Sequence, residues 1–294
     1  MEIGAFTLNE PLPELHDPHA LVMLRPWVDV GSVGAMVLTE LQKAFDAQPL
    51  GQLTRPGRFF DFTRYRPMSF FKDGQREIEI PNSFLWYAKR PEVDHDVLFL
   101  RLMEPHNNGE DYVDSVYQLL EHFNVSRYAS IGGMYDMVPH TRPLLISGTA
   151  SDPNLQEMLV RFGARQSRYE GPTSIMTTLP QRMLASGKET LSMLVRLPQY
   201  APVEEDFAGT LRALEVLGEI YDVQMDLSDL RRKAEEQNQQ ITLAVEGNQQ
   251  LKRALLRLEE RYDSRASRRQ QQELPPPTTK LPPSIEEFLR ELNP

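Results

Sequence analysis

ALVMLR-PWVDVGSVG-AMVLTELQKAFD, residues 20–46, sets a strand, a glycine-bearing turn and a helix in series. Residues 20–25 are a short continuous apolar run, the pattern of a strand buried on both faces. Pro26, Gly31 and Gly34 punctuate the turn. From Val33 to Asp46 the apolar positions Val33, Met36, Val37, Leu41 and Phe45 recur at steps of three and four, which predicts a helix. A strand, a turn and a helix in that order open a βαβ unit, so the fold class is α/β.

The alternation continues down the chain. Asp96 to Leu102 is a second buried strand, Glu104 to Gly109 a loop, and Tyr112, Val113, Val116, Leu119, Leu120 and Phe123 mark a helix. Tyr128 to Ile131 is a strand ending in Gly132 and Gly133. Leu144 to Ser147 is another, followed by Gly148-Thr149-Ala150-Ser151. Asp152 is placed to cap the helix that follows, with Pro153 at its first position. Gly171-Pro172-Thr173 opens a further helix to about Ser186, Thr190 to Leu197 is a strand, and Phe207 to Tyr221 a helix. This order predicts a mostly parallel sheet. The stretch between the first two strands reads as an antiparallel excursion. Phe59, Phe60 and Phe62 are strand-like, Arg76 to Ile80 alternates polar and apolar, and Phe84 to Ala88 can pair with it. The turn signals are Asp73-Gly74 and Pro81-Asn82.

After residue 222 the pattern changes. Leu227, Leu230, Ala234, Gln237, Ile241, Ala244, Asn248, Leu251, Leu255, Leu258 and Tyr262 step by three and four, an a/d seam of about five heptads. The region 223–263 therefore reads as one long helix of roughly 55 Å at ~1.5 Å per residue, packed on its own domain or on another copy. The polar seam positions Gln237 and Asn248 are of the kind that fix register. Residues 264–283 are polar and Pro-rich, a linker. Residues 284–294 form a short amphipathic helix with Ile285, Phe288 and Leu289 on one side. It is too short to be stable alone and is suited to docking.

Composition excludes several classes. The 294 residues carry 32 Lys+Arg against 42 Asp+Glu, a net charge of −10, which argues against a general nucleic-acid binder. There is no cysteine, hence no disulfide scaffold, thiolate metal site or cysteine nucleophile. No apolar run is long enough to span a membrane. The N-terminus lacks the basic start and apolar core of a signal peptide, so the cytoplasm is the expected compartment.

The residues that could carry chemistry gather at expected strand ends. These are Asp29, Glu104, Gly132, Gly133, Thr149 and Ser151. Gly31 and Gly34 are spaced G-x-x-G, short of a dinucleotide fingerprint, and fit a tight strand-to-helix turn equally. His140 and Arg142, with Thr141, form either an anion-binding loop or a stiff structural one held by Pro139 and Pro143. Asp29 and Glu104 could meet as a carboxylate pair for acid/base work. Neither a P-loop nor a G-x-S-x-G elbow is present, the histidines make no metal pattern, and no cofactor is expected. The aromatics Phe59, Phe60, Phe62, Phe70, Phe71, Trp86 and Tyr87 read as core, with a subunit contact as the alternative.

IGGMYDMVPHTRP, residues 131–143, resembles the proteasome assembly chaperone family. So do Gly148-Thr149-Ala150-Ser151, the segment Tyr169-Glu170-Gly171-Pro172-Thr173, and Trp27, Asp29 and Gly31 at the first turn. The resemblance covers roughly residues 18–222, the assembly-chaperone-like domain 1–222. It implies a three-layer α/β/α fold similar to nucleoside phosphorylases. It also implies a non-catalytic role through protein–protein contacts, as a chaperone or scaffold, and a homo-oligomer of three or more copies. Leu227, Leu230, Ile241, Leu251, Leu255 and Leu258, with the terminal helix, would then be the partner-binding elements. The chain ends Leu292-Asn293-Pro294, without the penultimate tyrosine with which such chaperones engage proteasome rings. The second reading is a small-molecule binder or enzyme, with nucleotide, phosphate or ligase-like chemistry, at the strand-end loops.

Overall fold

The computed structural model describes residues 1–166 and 170–273. The strands are β1 (Glu2–Ile3), β2 (Phe6–Leu8), β3 (His19–Arg25), β4 (Gln48–Leu53), β5 (Met68–Lys72), β6 (Gln75–Glu79), β7 (Phe84–Ala88), β8 (Val97–Met103), β9 (Arg127–Asp136), β10 (Ile146–Ala150) and β11 (Glu189–Pro198). The helices are α1 (Val33–Ala44), α2 (Gly109–His122), α3 (Pro153–Arg161), α4 (Ile175–Ala185), α5 (Phe207–Ile220), α6 (Ser228–Glu246) and α7 (Gln249–Glu273). A nine-stranded sheet runs β1-β2-β4-β7-β8-β3-β9-β11-β10, and β5 and β6 form a separate two-stranded ribbon. The central strands β8, β3, β9 and β11 are parallel. Antiparallel strands extend the sheet on both sides.

Period-two alternation in β3 explains the layers. Ala20, Val22 and Leu24 pack with Tyr112, Val116 and Leu119 of α2 and Leu179 and Met183 of α4. Leu21 and Met23 pack with Val33, Val37 and Leu41 of α1 and Leu214 and Leu217 of α5. Each fully buried side chain of this size contributes about 1.5–3 kcal/mol. The fold is thus α/β/α with the parallel strands at its centre. Asp152 caps α3 by accepting from Leu155 N–H at 2.9 Å, with Pro153 at the first helical position. Among the described residues no helix is long and apolar enough to cross a membrane.

Four expectations change. Phe59 and Phe60 follow a 3-10 turn and are buried against Tyr112, at 5.2 and 6.0 Å between rings, so this aromatic run is core and not a strand. β6 pairs with β5 and not with β7. Asp73 and Gly74 both have positive φ, 50° and 77°, the turn that closes a tight hairpin. β10 is antiparallel to β11, which reverses the end of the sheet reached by Thr149 and Ser151. Finally, the long helix is broken. Asn248 is no seam residue: its Oδ1 accepts from Gln250 N–H at 2.9 Å and Leu251 N–H at 3.2 Å, capping a new helix. That helix is described as far as Glu273, into the start of the stretch read as linker, where Ala, Arg, Gln and Glu favour helix. The rest of the linker and the terminal helix with Ile285, Phe288 and Leu289 lie outside the described residues.

Candidate functional site

The turn after β3 lies across the end of β9. Gly133 N–H donates to Val28 O at 2.9 Å, and Asp29 bridges to Gly133 in parallel. A Cβ on Gly132 would stand 2.0 Å from Val28 O, and one on Gly133 would stand 2.7 Å from Val30 O. These two glycines are therefore close-approach residues. Gly31 has φ of 61° and sits against Asp206. Asp29 is buried, and its Oδ1 accepts from Ala35 N–H at 3.1 Å in the first turn of α1. Arg25 lies 3.6 Å from its other oxygen. Burial pushes the Asp29 carboxyl up to about 6 against the opposing pull of Ala35 N–H and Arg25. A dinucleotide would set its pyrophosphate at this helix start, and the chain's own carboxylate occupies it. Trp27, by contrast, is exposed.

Asp29 and Glu104 do not form a pair. Glu104 N–H donates to Arg25 O at 2.8 Å, but its Oε1 accepts from Ile175 N–H at 3.4 Å at the start of α4. α1 and α4 cover opposite faces of the sheet, so each carboxylate anchors a different helix layer. The Glu104 carboxyl is pushed up by burial, and its Oε2 is buried without a partner among the described residues. Glu104 shares a cavity rim of about 590 Å³ with Thr173, so those two are brought together. Gly171 precedes this rim. Thr149 and Ser151 are at the opposite end of the sheet, where Ser151 Oγ accepts from Thr190 N–H at 2.8 Å and closes the start of β11. Tyr169 lies outside the described residues.

The Pro-His-Thr-Arg-Pro loop is engaged by the C-terminal helices. Thr242 on α6 donates its hydroxyl to Asn238 O, so it accepts from His140 Nε2–H at 3.0 Å. His140 Nδ1 then accepts from the Tyr200 hydroxyl at 2.6 Å, which assigns the neutral Nε2–H tautomer. Burial lowers the His140 pKa, consistent with that state. Arg142 holds Asp263 of α7 in a fork, 2.9 Å at both Nε and Nη2, and reaches Glu259 at 3.3 Å. Tyr262 donates to Pro143 O at 3.0 Å. The seam residues serve the same end. Leu227 and Leu230 pack beside α5, Ala234 and Leu258 are buried, and Gln237 bonds Phe207 N–H and Glu205 O. Ile241, Leu251 and Leu255 are half-buried.

Two features escaped the sequence reading. The β5–β6 ribbon is exposed on both faces, including Met68, Phe70, Phe71 and Ile78, with Phe71 at 70%, and Ile80 just beyond it is exposed too. A cleft of about 440 Å³ lies at its base, bounded by Arg25, Arg66, Arg101, Phe84 and Trp86. The alternation in 76–80 signals a strand with one wet face; nothing local says that both faces are wet. Among the described residues, no three His, Asp or Glu groups are arranged to hold a metal ion.

The fold resembles a Corynebacterium glutamicum protein of unknown function, at 24% identity and TM-score 0.78, over 90% of this chain and 99% of that one. It resembles a Mycobacterium tuberculosis proteasome-assembly chaperone homologue at 24% identity and TM-score 0.70, over 80% and 99%. PbaB, an archaeal proteasome activator from Pyrococcus furiosus, matches at 15% identity and TM-score 0.64, over 83% and 100%. No curated protein matches the sequence. The PAC2 family matches residues 23–245, from the parallel core through α6 and most of the chain, and the chain belongs to that family.

Proposed function

We propose that this protein works by binding other protein chains, as an assembly factor or scaffold, with the β5–β6 ribbon as its main contact element. The observation that carries the reading is the ribbon itself. A lone two-stranded ribbon is marginal in water, and this one exposes Met68, Phe71 and Ile78 at 64%, 70% and 65%. Such a surface is stabilised when another chain covers it. Self-association into three or more copies is one use of it, and client capture another. The relatives named as a proteasome-assembly chaperone homologue and a proteasome activator support this class of role. The C-terminal helices, docked within the chain, supply a scaffold more than a coiled-coil seam. A Phe71→Ser, Ile78→Ser double variant tests the reading by light scattering and by recovery of the partner held by the native protein. The melting temperature should be unchanged while the mass or the partner is lost. Wild-type mass together with wild-type partner recovery refutes the role of the ribbon.

A further inference from the structure

We propose that the cleft between β8, α1 and the base of the ribbon binds a small organic anion, a phosphate or carboxylate on an apolar body. The inference is independent of the assembly reading. The cleft opens at the carboxyl ends of β3 and β8. The helices that follow these two strands, α1 and α2, go to opposite faces of the sheet, and this is where open α/β sheets form ligand crevices.

The charge balance defines the ligand. Arg25, Arg66 and Arg101 line the cleft with Glu79 as the one carboxylate of its lining, in a chain of net charge −10; Arg25 is already engaged by Asp29 at 3.6 Å, which leaves Arg66 and Arg101 for the ligand. Arg101 is half-buried and bonded only to neutral groups, Thr39 Oγ1 at 2.8 Å and Gln42 Oε1 at 2.6 Å. Its Nε and the Gln42 Nε2 are both buried donors without an acceptor among the described residues. Gln42 stands behind the cleft and does not line it, so the unpaired Arg101 Nε shows only that this guanidinium has bonding capacity left over. Arg66 makes no ion pair among the described residues and stands exposed at the mouth. Beside Arg101, Phe84 and Trp86 of the neighbouring strand give an apolar wall, with the Arg101 guanidinium 5.2 Å from the Trp86 ring centre. A forked guanidinium recognises phosphate or carboxylate, and the aromatic wall takes the body attached to it.

Trp86 reports on occupancy. The chain has 2 tryptophans, and the exposed Trp27 can be replaced by Phe to leave Trp86 as the sole emitter. Phenyl phosphate and benzoate, titrated at low salt into the full-length Trp27→Phe protein, should each give the protein a chance to show its head-group preference. A saturable change in Trp86 emission with either probe is the expected result. Arg66→Gln, at an exposed position that leaves the fold intact, should weaken binding about tenfold. Arg101→Lys, which keeps the charge but loses the fork, should weaken it at least as much; if that variant does not fold, Arg66→Gln decides. No saturable change with either probe into the millimolar range overturns the proposal, and so does an affinity that Arg66→Gln leaves unchanged.

Discussion

Replacing His19 by Phe should make the protein more stable in mild acid, relative to neutral pH, than the wild type is. His19 begins β3, is 7% exposed, and stacks on His95 at 4.1 Å with rings 15° apart. Tyr221, the residue after α5, closes the site at 5.8 Å. The charged groups around it are Arg127, Arg90 and His95, with Glu189 paired to Arg127 and Asp17 and Asp96 facing His95. Burial first, then these cations, press the His19 pKa down from 6.5 to about 3. Its folded pKa lies below its unfolded one, so stability is full above pH 6.5 and is lost as pH falls toward 3. Between pH 7.5 and pH 5 the loss from this group is about 2 kcal/mol. Asp29 acts in the opposite sense. Its folded pKa of about 6 exceeds 3.8, so the same drop in pH returns about 1.4 kcal/mol. The wild type therefore shows a small net change from these two groups, and the His19→Phe variant a gain. Phe keeps the ring stack, and His19 Nδ1 has no partner among the described residues to lose. Urea unfolding at the two pH values reads the difference, and with a slope of about 3 kcal/mol/M the midpoints should diverge by about 0.7 M. Parallel pH profiles for the two proteins would refute the reasoning.

Gly132→Ala would force a Cβ to 2.0 Å from Val28 O, parting the turn from β9 and straining the Gly133–Val28 bond. We expect a loss of about 2–4 kcal/mol in thermal unfolding, and an unchanged melt would contradict the close-approach role. Arg142→Met should change global stability by less than about 1 kcal/mol, because its ion pairs are partly exposed. Proteolysis within α7 should nonetheless accelerate, and equal cleavage rates would show that the fork does not hold the helix.

The periodicities of 20–46 and 96–102 were enough to place β3, α1 and β8, because a strand buried on both faces and a helix with one apolar stripe each leave a local signature. The aromatic run at Phe59 and Phe60 misled, because burial against Tyr112 and strand burial select the same residues. In the tail the a/d pattern reads as a helix packed on its own domain or on another copy. The a/d pattern around Leu227, Leu230 and Leu258 marks apolar helix faces, and α5 and the Pro-His-Thr-Arg-Pro loop meet these helices within the chain; a local pattern is the same whichever surface covers it. The break at Asn248 turns on a side-chain cap, and Asn at a heptad position looks the same whether it fixes register or ends a turn.

The sequence by itself determined the α/β class, the buried strands, the turn glycines and the resemblance of 131–143, all carried by near neighbours in the chain. Only the tertiary structure decided that Asp29 and Glu104 anchor opposite helix layers, that Thr149 and Ser151 stand at the far end of the sheet, and that Arg142 is held by Asp263. It alone placed Arg25, Arg66 and Arg101 around one cleft. Strand direction and layer assignment bring these groups together or keep them apart, and both depend on pairings between residues distant in sequence.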